Sequence, residues 1–234
     1  MDVKKNARLR ELISQPGIVV APGCHDGLTA RLVQQNGFQV CYMGGNGTMA
    51  SYLGIPDIGL GTATEMITRA RYLAEILDIP LVCDADTGYG DVSSVVRTVR
   101  EYEAAGVSGI HFEDQVMPKK CGSMGGVQVV PVEEICAKIK AALEARRDPN
   151  FMIIARTDCF NTLGIDEAID RCKKFWDVGA DMLMPENFTK RKDVERVARE
   201  LVNYKSPYRD DKPIVLYDVC EFEEGRIFSN QELE

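Results

Sequence analysis

The 234-residue chain has only two histidines, His25 and His111, far apart in sequence, which leaves too few nitrogen ligands for most zinc-hydrolase arrangements. It has no apolar stretch near the ~20 residues that a bilayer span requires, so a membrane protein is not expected. Nor does it open on a signal peptide: Met1 to Gln15 mixes Lys4, Lys5, Arg8 and Arg10 with Asp2 and Glu11, and reads as a short amphipathic helix. Positive charge is in deficit, with 28 Lys and Arg against 36 Asp and Glu and a formal charge of -8. With no long basic run, a nucleic-acid partner is not expected. Eight cysteines are present, but none in Cys-x-x-Cys spacing and most inside apolar runs. They read as reduced core residues of a cytoplasmic protein, a mitochondrial address being left open. Also missing is Gly-x-Gly-x-x-Gly after the first candidate strand. Ala21-Pro22-Gly23-Cys24-His25-Asp26 follows instead, and Gly44-Gly45-Asn46-Gly47 lacks the spacing and the later acidic partner of a dinucleotide site.

What the chain does have is alternation. Short runs rich in Val, Ile, Leu and Met alternate with longer amphipathic segments, the pattern of repeated βα units. Seven strands are expected, at Ile18–Ala21, Gln39–Met43, Leu81–Ala85, Gly109–Glu113, Phe151–Arg156, Asp181–Met184 and Pro213–Tyr217. Val132, Ile135, Cys136, Ile139, Ala142 and Leu143 lie on one face of a helix. Val92, Val95, Val96 and Val99 form a second such face, Met66, Ile67, Ala70 and Leu73 a third, and Ile165, Ala168, Ile169 and Cys172 a fourth. Gly37, Gly106 and Gly179 follow helices as αL caps. Strands apolar on both faces belong in a parallel sheet covered by helices, either a closed barrel or an open doubly wound sheet.

Polar residues cluster at the expected strand ends, where the catalytic groups of a barrel gather. Tyr42 and Gly44 end the second strand, with Asp57 on the loop beyond; Asp84 and Asp86 end the third, Glu113 and Asp114 the fourth. Arg156 and Asp158 end the fifth, Glu186 the sixth, Asp218 and Glu221 the seventh. Alternation along a strand would point Asp84 and Asp86 to one side, and two facing carboxylates are reconciled by a hard divalent cation such as Mg²⁺ or Mn²⁺. The other use of such a carboxylate is to cap the following turn. Lys119 and Lys120 beside Cys121 would favour its thiolate, on a loop with the glycines to open and close; a surface loop with an incidental thiol is the alternative.

Asp84-Ala85-Asp86-Thr87-Gly88-Tyr89-Gly90, Phe112-Glu113-Asp114-Gln115, Pro118-Lys119-Lys120-Cys121-Gly122 and Ile154-Ala155-Arg156-Thr157-Asp158 resemble successive signatures of the isocitrate lyase and phosphoenolpyruvate mutase superfamily. The similarity runs from about Pro22 to Glu221, and the Lys-Lys-Cys-Gly loop is similar to that of its carbon–carbon lyases, the methylisocitrate lyase, dimethylmalate lyase and oxaloacetate hydrolase group. The resemblance implies a (β/α)8 barrel that binds Mg²⁺, or Mn²⁺, and cleaves a small 2-hydroxy or 2-oxo di- or tricarboxylic acid, releasing pyruvate or glyoxylate. It assigns Asp57, Asp84, Asp86 and Glu113 to the metal shell, some through water, and Arg156 to a substrate carboxylate. Backbone amides at Gly44 and Gly45 would hold the other end of the substrate, with Asp57, Glu186 and Asp218 around it. Tyr42 would take the 2-hydroxyl proton and Cys121 would protonate the carbanion, with Glu113 and Arg156 completing the catalytic set.

Four positions depart from the lyases: Gly44 replaces Ser or Thr, Ser123 replaces His, Asp218 replaces Asn, and Arg226 stands where a small residue or proline is usual. Asp218 would add negative charge beside an anionic substrate, and Arg226 would offset it or bind a further carboxylate. Two other functions stand beside the lyase: hydrolysis or decarboxylation of an oxaloacetate-like acid, and a non-catalytic relative. The length is slightly short of the ~250 residues of a full barrel. The chain is therefore expected to be one barrel domain, residues 1–234, lacking strand eight and the helices after it, with Ser229 and Glu232 capping a helix that stops about one turn in. Continuation of the natural protein, or cover by another chain, is expected, and the resemblance implies a homotetramer.

Overall fold

Alternation along each strand decides which side chains meet the helices and which point inward. A computed structural model describes residues 3–219 and 228–233. Its strands are β1 (Gly23–Cys24), β2 (Cys41–Met43), β3 (Leu81–Asp84), β4 (Gly109–Glu113), β5 (Met152–Thr157) and β6 (Met182–Pro185). They pair in parallel in unbroken chain order. Sequential winding is that of a (β/α)8 barrel; a doubly wound sheet would reverse its order at a switch point. The helices are α1 (Val3–Ser14), α2 (Gly27–Gln35), α3 (Gly45–Tyr52), α4 (Ala63–Ile76), α5 (Val92–Ala104), α6 (Val132–Ala145), α7 (Phe160–Leu163), α8 (Ile165–Asp177), α9 (Arg191–Val202) and α10 (Asn230–Leu233).

The four apolar faces read from sequence lie on α4, α5, α6 and α8. Their ends follow local chemistry. Asp26 and Thr29 form a capping box on α2, Thr62 and Glu65 another on α4, and the Asp91 carboxylate accepts the Ser94 N–H at the start of α5. Gly37, Gly106 and Gly179 take positive φ of 84°, 88° and 107°, the left-handed conformation of a C-terminal cap. Ser229 N–H donates to Glu232 at 3.0 Å where α10 begins.

Two strands differ from expectation. Ile18–Ala21 is not paired; the ladder begins at Gly23, after the Pro22 carbonyl accepts the Tyr42 N–H at 3.0 Å. Pro22 has no N–H to extend the ladder backwards. The seventh segment, Pro213–Tyr217, joins the sheet only as a bridge between Val215 and Leu183, held by Leu183 N–H to Ile214 C=O at 2.9 Å and Leu216 N–H to Leu183 C=O at 2.8 Å.

Toward the helices, Cys41, Met43, Cys83, Ile110, Phe112, Ile153, Ala155 and Leu183 form one buried core with Ala70, Val95, Val99, Ile135, Ile139 and Ile169. Toward the barrel axis, Val40, Val82, Met152, Ile154, Met182 and Met184 form a second core, closed from below by Leu9 of α1. Each fully buried aliphatic side chain contributes roughly 1.5–3 kcal/mol. Gly109 leaves room at this level, since a methyl group there would lie 2.8 Å from the Met152 Cβ. Asn6 donates to Asp148 at 2.8 Å and Arg10 to Asp181 at 2.8 Å, so α1 is pinned across the lower end. One step up the same strands, the inward residues become Tyr42, Asp84, His111, Glu113 and Arg156.

Candidate active site

β3 ends at Asp84, and strict alternation does not place Asp86. The chain turns there: Asp86 adopts φ 48°, its N–H donates to Asp84 Oδ1 at 2.8 Å, and its carbonyl accepts the Glu113 N–H at 2.8 Å. Both carboxylates still reach the mouth, Asp86 through a turn that β4 holds. On β4 the two-residue period puts His111 and Glu113 on the inward side next to Asp84. One ligand atom from each of Asp84, His111 and Glu113 lies within 4.8 Å of the others. Glu113 Oε2 and His111 Nδ1 are buried and have no hydrogen-bond partner.

That arrangement fits a divalent cation. Asp84 and Glu113 offer the hard oxygen ligands that Mg²⁺ or Mn²⁺ takes, and the orphaned Glu113 oxygen is the kind of buried acceptor that a cation would satisfy. Asp57 and Asp86, expected in the same shell, are joined instead by Lys119, whose ammonium lies 2.5 Å from Asp57 Oδ1 and 2.6 Å from Asp86 Oδ1. Lys119 is 2% exposed and turned inward, away from the role of favouring the Cys121 thiolate. Gly45 packs against the cluster, its N–H donating to Asp84 Oδ2 at 3.1 Å. A methyl group at residue 45 would lie 2.6 Å from that oxygen.

Electrostatics separates the carboxyls. Burial alone would raise Asp84, but His111, Lys119 and Arg156 bring it down to about 2. Asp86 is pushed up to about 6 by burial and by the neighbouring Asp84 charge, which outweigh Lys119. Burial raises Glu113 well above the usual carboxylate range and lifts Glu186 to about 8 despite Arg156. His111 is fully buried and drops to about 4, so its imidazole is neutral at physiological pH. Tyr42 Oη lies 2.8 Å from His111 Nε2, the rings stacked with centroids 5.7 Å apart. Desolvation and the Asp84 charge hold the Tyr42 phenol well above its ordinary value, so it rests protonated.

Arg156, at the end of β5, forms a fork with Asp158, Nε to Oδ1 at 2.8 Å and Nη2 to Oδ2 at 3.2 Å. Its Nη1 forms an ion pair with Glu186 Oε1 at 3.7 Å, beyond hydrogen-bond reach, and that buried oxygen accepts no hydrogen bond. Cys121 is partly exposed, its N–H donates to the Asp57 carbonyl at 2.9 Å, and its Sγ lies 3.2 Å from Ser123 Oγ. Gly44 is the N-cap of α3, and a methyl group there would touch the Tyr42 ring at 3.2 Å. Asp218 stands exposed on the rim, where its charge reaches Tyr42 and Glu186. Glu221 and Arg226 lie outside the described residues.

The structure thus gathers Tyr42, Gly45, Asp57, Asp84, Asp86, Glu113, Arg156 and Glu186 at one mouth, with Cys121 held to it through Asp57. It adds His111 and Lys119, neither of which was expected at the mouth. His111 was legible through its i, i+2 spacing to Glu113 on a strand; counting histidines for zinc hid it. The inward turn of Lys119 had no sequence signal.

A family model described as phosphoenolpyruvate phosphomutase matches residues 9–213. The 2,3-dimethylmalate lyase of Eubacterium barkeri is 48% identical over 198 residues, covering 85% of this chain and 68% of that protein. The structure of oxaloacetate acetylhydrolase in complex with the inhibitor 3,3-difluorooxalacetate superposes with a TM-score of 0.89 at 34% identity, covering 99% of this chain and 76% of the other. Phosphonopyruvate hydrolase in complex with oxalate and Mg²⁺ superposes with a TM-score of 0.79 at 30% identity, covering 93% and 72%. The chain spans about two thirds of the length of the curated relatives it matches.

Proposed function

The chain belongs to the phosphoenolpyruvate phosphomutase family, in the PEP mutase/isocitrate lyase superfamily, and from that premise we propose that it is a divalent-cation-dependent carbon–carbon lyase. Its substrate is a small 2-hydroxy or 2-oxo di- or tricarboxylic acid of the dimethylmalate or methylisocitrate kind, and its product includes pyruvate or glyoxylate. One observation carries the reading: the inward positions of adjacent strands bring Asp84, His111 and Glu113 together beside Tyr42 and Arg156, with buried Glu113 and His111 atoms left unpartnered.

Asp84 and Glu113 would hold Mg²⁺, or Mn²⁺, with Asp57 and Asp86, bridged by Lys119, adding negative charge beside them. When bound, the cation supplies positive charge to the 2-oxygen as it becomes a carbonyl. Arg156 receives a substrate carboxylate, a task for which a two-pronged guanidinium is suited. Tyr42 takes the 2-hydroxyl proton while passing its own to His111 Nε2, 2.8 Å away, with the Asp84 carboxylate 3.9 Å from the other ring nitrogen to stabilise the imidazolium that forms. The electron pair of the former O–H bond closes the carbonyl, the carbon–carbon bond breaks, and its electrons leave with the carboxylate-bearing fragment. The Cys121 thiol then gives its proton to that carbon. Glu186, protonated by its burial at neutral pH, donates a hydrogen bond to the bound acid rather than repelling it.

The likeness to oxaloacetate acetylhydrolase supports a second reading, hydrolysis or decarboxylation of an oxaloacetate-like acid. A panel of 2-hydroxy and 2-oxo acids, assayed with Mg²⁺ for every product, separates the readings. Pyruvate or glyoxylate release supports the lyase; acetate with oxalate, or CO₂, supports the second reading. No turnover of any acid by a protein that still binds Mg²⁺ leaves a non-catalytic relative.

A further inference from the structure

Gln115 follows β4 and is 2% exposed, yet it has no part in the site described above. Its side-chain amide is nearly saturated. Nε2 donates to the Lys120 carbonyl at 2.8 Å and to Asp158 Oδ2 at 2.5 Å, and Oε1 accepts the Lys120 N–H at 2.9 Å. One amide thus grips both backbone groups of the residue before Cys121 and, on its other hydrogen, the carboxylate that forks Arg156. Asp158 Oδ2 receives both Gln115 and Arg156 Nη2. The loop also lies directly on the clamp: a methyl group at Gly122 would be 2.7 Å from Arg156 Nη2, so a larger residue there would displace the end of the guanidinium.

The backbone of this segment is fixed independently. Gln115 pairs with Val129 in an antiparallel bridge, and Val116 N–H donates to the Gln128 carbonyl at 2.8 Å. The side chain therefore adds a polar connection between loop and clamp to the packing of Gly122 on Arg156.

We infer that Gln115 is a positioning residue that seats the Cys121 loop against the Arg156 carboxylate clamp, so that the proton donor and the substrate carboxylate site are set as one unit. The link between loop and clamp stands on the contacts above. Its meaning for proton delivery rests on the lyase reading. A ligand carboxylate that orders Arg156 and Asp158 will, through Gln115, hold Lys120 and Cys121 in place; a displaced loop will free Asp158 and loosen Arg156.

The test uses Gln115→Glu, which keeps the length and an acceptor but loses both donors, and Gln115→Asn, which is too short to span Lys120 and Asp158. Two quantities are measured on the Mg²⁺-loaded protein: the rate at which iodoacetamide alkylates Cys121, followed on its peptide by mass spectrometry with and without oxalate, and the oxalate dissociation constant by calorimetry. In the wild type, oxalate slows alkylation. In each folded variant, alkylation without ligand rises and oxalate affinity falls, each about tenfold, the factor that corresponds to ~1.4 kcal/mol, and oxalate no longer protects Cys121. Wild-type rates with protection intact in a cooperatively melting variant overturn the inference, and Gln115→Asn decides if Gln115→Glu fails to fold. Neither readout needs turnover. Linkage in a wild type that cleaves no acid removes the lyase reading and keeps Gln115; unchanged linkage in variants of an active wild type removes Gln115 alone.

Discussion

Two layers inside the barrel, drawn from the same strands one step apart, differ in how fully their side chains are satisfied. The lower layer of Val82, Met152, Ile154, Met182 and Met184 under Leu9 is apolar and buried, and its burial favours the fold. The upper layer holds Asp84, His111, Glu113, Arg156 and Glu186, and buries Glu113 Oε2, His111 Nδ1, Glu186 Oε1 and the adjacent Asn187 Nδ2 without hydrogen-bond partners. An unsatisfied buried polar group costs about 1–3 kcal/mol, so the upper layer opposes stability where the lower one supplies it. The strands below hold in place a set of groups that would not stay together unaided. Polar groups left unpaired in the protein are available to a cation and an acid.

Substitutions in the two layers should therefore fail in different ways. The largest effect is expected for Glu113→Gln, which removes a buried ionisable carboxyl: turnover falls by about 10²–10³-fold, as for loss of a transition-state electrostatic partner. Its melting temperature stays level or rises, because glutamine is neutral without the proton that burial favours on Glu113. Steady-state kinetics beside a thermal melt check this, and a fall in both would mean that the mouth also holds the fold. Met152→Ala is the converse. It should lose about 2–5 kcal/mol of stability in denaturant titration, with kcat per folded molecule unchanged. Gly45→Ala crowds Asp84 without touching the lower layer, and calorimetry should show Mg²⁺ bound about tenfold more weakly, the order expected when support for a ligand is disturbed.

The smallest effect falls outside both layers. Asp26→Ala removes the capping box of α2 and should cost about 1 kcal/mol at neutral pH. The Thr29 N–H holds Asp26 below its ordinary 3.8 in the folded protein, so this contribution is complete above that value and fades as the pH falls through the lowered folded-state one. Melts of wild type and variant should converge in acid. A gap that persists there would assign the loss to helix propensity instead.

The helices were legible because their signals are local: α4, α5, α6 and α8 show an apolar stripe at helical spacing, and Gly37, Gly106 and Gly179 mark ends that sequence alone can place. The sheet was legible where both faces are buried, from β2 to β6. It was less so at its margins, where Pro22 limits pairing to one carbonyl and Val215 adds a single bridge. At the mouth, strand-end acids could be read from their positions, since alternation fixes where Glu113 points. Asp86 could not, because a turn with positive φ replaces the strand there. The Lys119 bridge between Asp57 and Asp86 depends on the path of a loop returning from another part of the chain, and the saturation of Gln115 depends on the same loop. Contacts of that kind leave no periodic trace.

The proposed reaction requires the upper layer to be a cation-dependent site for cleaving a carbon–carbon bond. The most direct measurement is 2-oxo acid release from 2,3-dimethylmalate and 2-methylisocitrate by metal-stripped protein, before and after Mg²⁺ is restored. No release is expected without the cation, and turnover with it. Release that continues unchanged in the stripped protein, or no release from any acid of the panel once Mg²⁺ is bound, would contradict it.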